Sequence, residues 1–138
     1  GPVYQAGTNS GNPLSMAAGI TTLDLLVTED PYPRLETLGA RLQAGLETQL
    51  RETGCPGVVQ RVGSMITLFF TAGPVVSVDD VTPEATARFG RFWRGAREQG
   101  IMLPPSQYEA WFISAAHDEA LIDETIQRLG PALAGACA

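Results

Sequence analysis

Val58-Val59-Gln60-Arg61-Val62-Gly63-Ser64-Met65-Ile66-Thr67-Leu68-Phe69-Phe70-Thr71 decides how the rest of this 138-residue chain must be arranged. Both runs are rich in β-branched or aromatic residues, and a Gly-Ser pair separates them. They read as two strands joined tightly or as one bent strand pair. Their neighbours on either side read as helices. Before them, Pro33 to Thr53 carries Leu35, Leu38, Leu42, Leu46 and Leu50 on one face, opposite Glu36, Arg41, Glu47 and Arg51, and Gly54 is a natural C-cap. After them, Thr82-Pro83-Glu84 is an N-cap followed by proline and an acid. Phe89, Phe92, Trp93 and Ala96 then make the apolar stripe of a helix ending at Gly100.

Farther out, Asn12-Pro13 opens a helix expected to end near Glu29, before Pro31. Ile101-Met102-Leu103 reads as a short strand stopped by Pro104-Pro105, and Ala110 to Ala115 as a last strand. Asp118 or His117 caps a final helix with Ile122, Ile126, Leu129 and Leu133 on one side. The order helix, helix, strand, strand, helix, strand, strand, helix lacks βαβ alternation. It points to an α+β fold, a small antiparallel sheet with helices on one face. The loop of residues 1–12 and the small-residue face Met16-Ala17-Ala18-Gly19 have no evident core in this chain to pack on. They read as part of an interface with something absent.

Composition excludes several function classes. Hydrophobic residues at 44% and charged residues at 17% describe a packed globular domain. A formal net charge of -6 without any basic run argues against binding nucleic-acid backbone or an anionic membrane surface. The longest apolar runs fall far short of the roughly 20 residues that span a bilayer. All nine basic residues are arginine, so no side chain here can form a lysine Schiff base. Cys55 and Cys137, without neighbouring His or Cys, read as idle thiols in a reducing, cytoplasmic setting, and no metal site is expected.

Four places carry possible chemistry. Gly7-Thr8 with Ser10-Gly11 has backbone and hydroxyl donors suited to a phosphate, although it matches neither common phosphate-loop pattern and an ordinary turn is the plainer reading. Glu109, just before an apolar strand, either faces a pocket or is solvated. His117, the single histidine, reads as a cap or strand-end residue because no nucleophile motif accompanies it. Arg88, Arg91, Arg94 and Arg97 drift around their helix, interleaved with Phe89, Phe92 and Trp93, as a solvated face beside a core face.

Taken together, Gly1-Pro2-Val3-Tyr4-Gln5-Ala6-Gly7-Thr8, Ser10-Gly11-Asn12-Pro13-Leu14, Gly63-Ser64-Met65, Arg88-Phe89 and Pro105-Ser106-Gln107-Tyr108-Glu109-Ala110 resemble the glutamate-1-semialdehyde 2,1-aminomutase family. That family lies within the class III aminotransferase branch of the fold-type I pyridoxal-phosphate proteins, and the resemblance covers essentially the whole chain as the last third of the enzyme. It implies the small C-terminal domain of that fold over residues 31–138, preceded by a cofactor-phosphate loop and an interdomain helix over residues 1–30. It implies conversion of glutamate-1-semialdehyde to 5-aminolevulinate for tetrapyrrole (porphyrin) synthesis through a diaminovalerate intermediate, with pyridoxal 5'-phosphate or pyridoxamine 5'-phosphate as cofactor.

The same resemblance implies a bacterial cytoplasmic homodimer with shared active sites. Gly7 and Thr8 would meet the cofactor phosphate of the neighbouring subunit, and Glu109 would face the substrate, with Tyr4 nearby. Transaminases acting on α-amino acids are expected to place an arginine near Glu109 to pair with the α-carboxylate. Asn9, Tyr108 and His117-Asp118 depart from the family pattern. The Schiff-base lysine is expected upstream, so this segment alone should be inactive. The alternatives are another class III transaminase and a non-catalytic, self-associating module.

Overall fold

The computed structural model describes residues 2–138; Gly1, the first residue of the family resemblance, lies outside the described residues. The chain divides into two compact units that meet between Pro31 and Tyr32. The first contains an exposed loop and helix α1, Pro13–Glu29. Asn12 caps α1 as the sequence predicts: its Oδ1 accepts the N–H groups of Leu14 at 3.0 Å and Ser15 at 3.2 Å. No residue of α1 is buried, and Leu14, Ile20, Leu23 and Val27 all stand exposed.

The second unit begins with α2, Tyr32–Thr53, whose Leu38, Leu42, Leu46 and Leu50 are buried. Strands β1, Val58–Val62, and β2, Met65–Phe69, form an antiparallel hairpin in which Val62 faces Met65. The two-residue turn needs a left-handed backbone, and Gly63 supplies it at φ 57°. Of the two sequence readings, two tightly joined strands is the one observed. A 3₁₀ turn at Val78–Asp80 then leads to α3, Pro83–Glu98, capped by Thr82. A third strand, β3, is only Trp111–Phe112 and pairs antiparallel with β2. Helix α4, Glu119–Cys137, closes the chain, with Asp118 as its cap. The fold is α+β, as the residue order implied.

Strand alternation sorts the sheet's two faces. Val59, Ile66, Leu68 and Trp111 point into the core, whereas Val62, Met65 and Phe112 are exposed. The helices therefore lie on one face. Phe92 of α3 is completely buried among Phe70, Phe89 and Trp111, with ring centroids 5.6 to 6.1 Å apart. Arg61, on the helix-facing side of β1, reaches α2 through Glu36 at 2.7 Å and Gln43 at 2.9 Å. At Gly39 an added Cβ would meet the Gly63 carbonyl oxygen in hard overlap, so α2 rests directly on the hairpin turn.

Three expectations change. Residues 101–103 form no strand among the described residues, because Trp93 Nε1 donates to the Leu103 carbonyl at 2.9 Å and holds the segment against α3. The last strand is shorter than Ala110 to Ala115, since β2 offers it only two pairing positions, Met65 and Ile66. The cysteines are not idle. Cys55 and Cys137 form a disulfide, and the argument for a reducing compartment from unpaired thiols falls away.

Candidate functional site

The two candidate regions belong to different units, so each is built up within its own. In the first, the chain turns at Thr8 to Gly11: the Ser10 N–H donates to the Gly7 carbonyl and the Asn12 N–H to the Asn9 carbonyl, both at 3.1 Å. Gly11 holds φ at 75°. A Cβ at Gly7 would lie 2.7 Å from Ser10 Oγ, so a side chain there would turn the Ser10 hydroxyl away from its present place. Thr8 is exposed and its hydroxyl makes no hydrogen bond among the described residues. Hydroxyls on Thr8 and Ser10, beside tightly turned backbone, are a donor set that suits phosphate oxygens. Tyr4 is 91% exposed.

In the second unit, Glu109 sits on the short loop that leads into β3. Its N–H donates to the Ser106 carbonyl at 3.1 Å, and the Tyr108 N–H donates to Ser106 Oγ at 3.2 Å. Those two bonds shape a local turn; what fixes it to the fold is Gln107. This residue is 1% exposed, and its Nε2 donates to Thr86 Oγ1 at 2.6 Å. The Glu109 carboxylate itself is exposed and forms no ion pair among the described residues. It is thus a free charge on an anchored loop.

His117 is engaged locally instead. Its Nδ1 accepts the Ser114 N–H at 3.1 Å and its carbonyl accepts Arg34 Nη2 at 2.7 Å, so it closes the turn before α4. It also borders an apolar cleft of about 350 Å³ walled by Ile66, Trp111, Ile122 and Leu129. Glu109 does not line that cleft. Arg88 pairs with Glu84, Arg91 holds the Ala136 carbonyl and Arg97 lies over Trp93, which gives three of the four arginines of α3 structural partners. Sequence reading missed Gln107 and Thr86, because a glutamine after Pro-Ser reads as loop surface and nothing in the pattern marks it as buried. Among the described residues no group of three or more His, Cys, Asp or Glu side chains is placed to hold a metal ion. No helix of the structure is long and apolar enough to cross a membrane.

Comparison with known proteins places the chain. It is 58% identical over 97% of its length to glutamate-1-semialdehyde 2,1-aminomutase of Thermomicrobium roseum. It is 56% identical over 96% of its length to the enzyme of that name from Thermus thermophilus. Nearly the whole chain is thus similar to part of glutamate-1-semialdehyde 2,1-aminomutases. It spans about 31% of the length of the Thermomicrobium relative, matching its C-terminal part. No family model matches the chain. An ω-transaminase from Sphaerobacter thermophilus superposes with a TM-score of 0.79 at 29% identity, covering 99% of this chain and 31% of that one. A β-phenylalanine aminotransferase from Variovorax paradoxus superposes with a TM-score of 0.72 at 26% identity, over 94% of this chain and 30% of that one. The similarity to aminomutases and the likeness to transaminase structures in this α+β architecture therefore agree.

Proposed function

We propose that this chain is the C-terminal part of a pyridoxal-phosphate-dependent aminomutase that converts glutamate-1-semialdehyde to 5-aminolevulinate, a step toward tetrapyrroles. The observation that carries the reading is Glu109: an exposed, unpaired carboxylate on an anchored loop of a chain 58% identical to a relative of that name. A carboxylate at this point repels an α-carboxylate and attracts an amino group. Amino-group transfer within one molecule calls for that preference, and an ordinary transaminase with an arginine here would have the opposite one.

Residues of the first unit fit the cofactor's phosphate. In this reading Gly7 permits close backbone approach, Thr8 donates its hydroxyl, and the active site served is the neighbouring subunit's, which makes the working enzyme a homodimer. Bound cofactor, as pyridoxal or pyridoxamine phosphate, supplies the electron sink and the amino group in transit. Within this chain, Glu109 orients the amino-bearing end of the substrate and Thr8 keeps the phosphate in place. The Schiff-base lysine comes from the upstream two-thirds, so residues 1–138 alone are inactive.

The test is to give the full-length enzyme glutamate-1-semialdehyde with no amino donor and to measure 5-aminolevulinate. Product should form without any keto acid. A requirement for an external amino acid, with release of its keto acid, would replace this reading with the transaminase activity that the Sphaerobacter structural neighbour bears in its name. Glu109→Arg in the same enzyme should shift preference toward substrates bearing an α-carboxylate; unaltered mutase kinetics would remove the argument from charge.

A further inference from the structure

Among the described residues, Gln107 is the one buried polar side chain. Only half of its amide is satisfied: Nε2 reaches Thr86, while Oε1 is buried with no partner among the described residues. A buried, unpartnered carbonyl destabilises, whereas an apolar residue of similar shape at such a position is close to neutral or stabilising. Stability therefore gives no reason for a glutamine here. Position in the chain does, because Gln107 stands two residues before Glu109.

The anchor it makes is directional. Thr86 belongs to the first turn of α3, and its Oγ1 donates in turn to the Thr82 carbonyl at 3.3 Å. The bond therefore ties the loop to a capped helix end. A second tie lies seven residues along the same helix, where Trp93 Nε1 holds the Leu103 carbonyl. Seven residues are close to two helical turns, so both ties leave α3 from nearly the same face, roughly 10 Å apart along its axis. Between them the chain from Leu103 to Gln107 is fastened at both ends. Glu109 then leaves from a fixed point, with the Ser106 turn setting its direction.

We infer that Gln107 is a positioning residue: through Thr86 it fixes the loop on which Glu109 is presented to the substrate. The inference rests on the role given to Glu109 above. Gln107 itself touches no reacting atom. A displacement of about 1 Å at a substrate-orienting group can lower a rate on the order of a hundredfold, which sets the scale of the effect expected.

The experiment uses the full-length enzyme with cofactor, comparing Gln107→Leu, Thr86→Val, Thr86→Ser, Glu109→Gln and the double variant Gln107→Leu with Glu109→Gln. Gln107→Leu should lower kcat roughly ten- to a hundredfold while Tm stays level or rises. Thr86→Val should reproduce the loss, and Thr86→Ser, which keeps the hydroxyl, should restore most of the rate. The double variant should be no slower than Glu109→Gln alone, because Gln107 acts only through Glu109.

Multiplicative losses in the double variant would overturn the inference, as would a wild-type rate in Gln107→Leu. If Gln107→Leu fails to fold, Thr86→Val carries the same comparison with Glu109→Gln. A wild-type rate in Glu109→Gln would instead remove the role of Glu109, and this inference with it. The two failures are thus told apart by which single variant is silent.

Discussion

Cys55 and Cys137, 82 residues apart in sequence, stand with their Cα atoms 5.6 Å apart and join the loop just after α2 to the last residue of α4 by a disulfide. Beside this link Arg91 donates from Nε and Nη2 to the Ala136 carbonyl, at 3.2 and 2.9 Å. The last turn of α4 is thus held from two sides. Closing so long a loop restricts the unfolded chain, and removing a native disulfide typically costs about 2 to 5 kcal/mol. Thermal unfolding of the protein with and without a thiol reductant should show a lower Tm in the reduced form. Cys137→Ser should match the reduced protein and be insensitive to reductant; equal melting of all three forms would show that the link contributes nothing.

Phe92→Ala should be among the most damaging single changes in the second unit. The ring is completely buried and meets Phe70, Phe89 and Trp111, so its loss leaves a cavity under the strand that follows Glu109. Such truncations cost about 3 to 5 kcal/mol. Urea unfolding gives the number, and a change below about 1 kcal/mol would mean that the surrounding rings collapse into the space.

Thr8→Val in the full-length enzyme should loosen the cofactor without touching the fold, since Thr8 is exposed in the structure. One hydrogen bond to a charged acceptor is worth about 1.5 to 3 kcal/mol, which is roughly a ten- to hundredfold rise in the cofactor's Kd. Equilibrium dialysis against free cofactor measures it. Unchanged affinity would assign the phosphate to other donors.

Acid should weaken the second unit through three carboxylates. Hydrogen bonding from Arg61 holds Glu36 below the usual carboxylate range, and Arg41 does the same for Asp123. The N–H groups of Ser77 and Val76 do so for Asp80. For groups depressed in the folded state, the stabilisation is complete above the unfolded values near pH 4 and is lost as pH falls through the lower folded values. All three are solvent-exposed, so each effect is small and screened by salt. Unfolding midpoints followed from pH 6 downward should fall below about pH 4, and Asp80→Asn should make that fall shallower.

Local signals were the legible ones. Asn12 and Thr82 announce their helices because capping is chemistry between neighbours, and the leucine stripe of α2 gives its buried face directly. Ile101-Met102-Leu103 misleads because its composition suits a strand, yet a strand also needs a partner, and Trp93 captures this backbone first while Met102 stays 89% exposed. The disulfide was invisible for a related reason: it depends on α2 and α4 lying side by side, which no spacing in the sequence encodes. At the candidate site, Gly7, Thr8 and Glu109 could be named from their residue types and the family resemblance. Gln107 could not, since its burial exists only after the loop has folded against α3.

Helix α1 places no residue in the core, which is drawn entirely from Leu38 onward, and it leaves a row of large apolar side chains in water. For anyone producing this polypeptide in isolation, that row should promote concentration-dependent clumping, seen as broad, drifting chromatographic peaks. A truncation beginning at Tyr32 discards the sticky helix and sacrifices no interior packing. The shorter piece is the better starting material for spectroscopy of the region around Glu109.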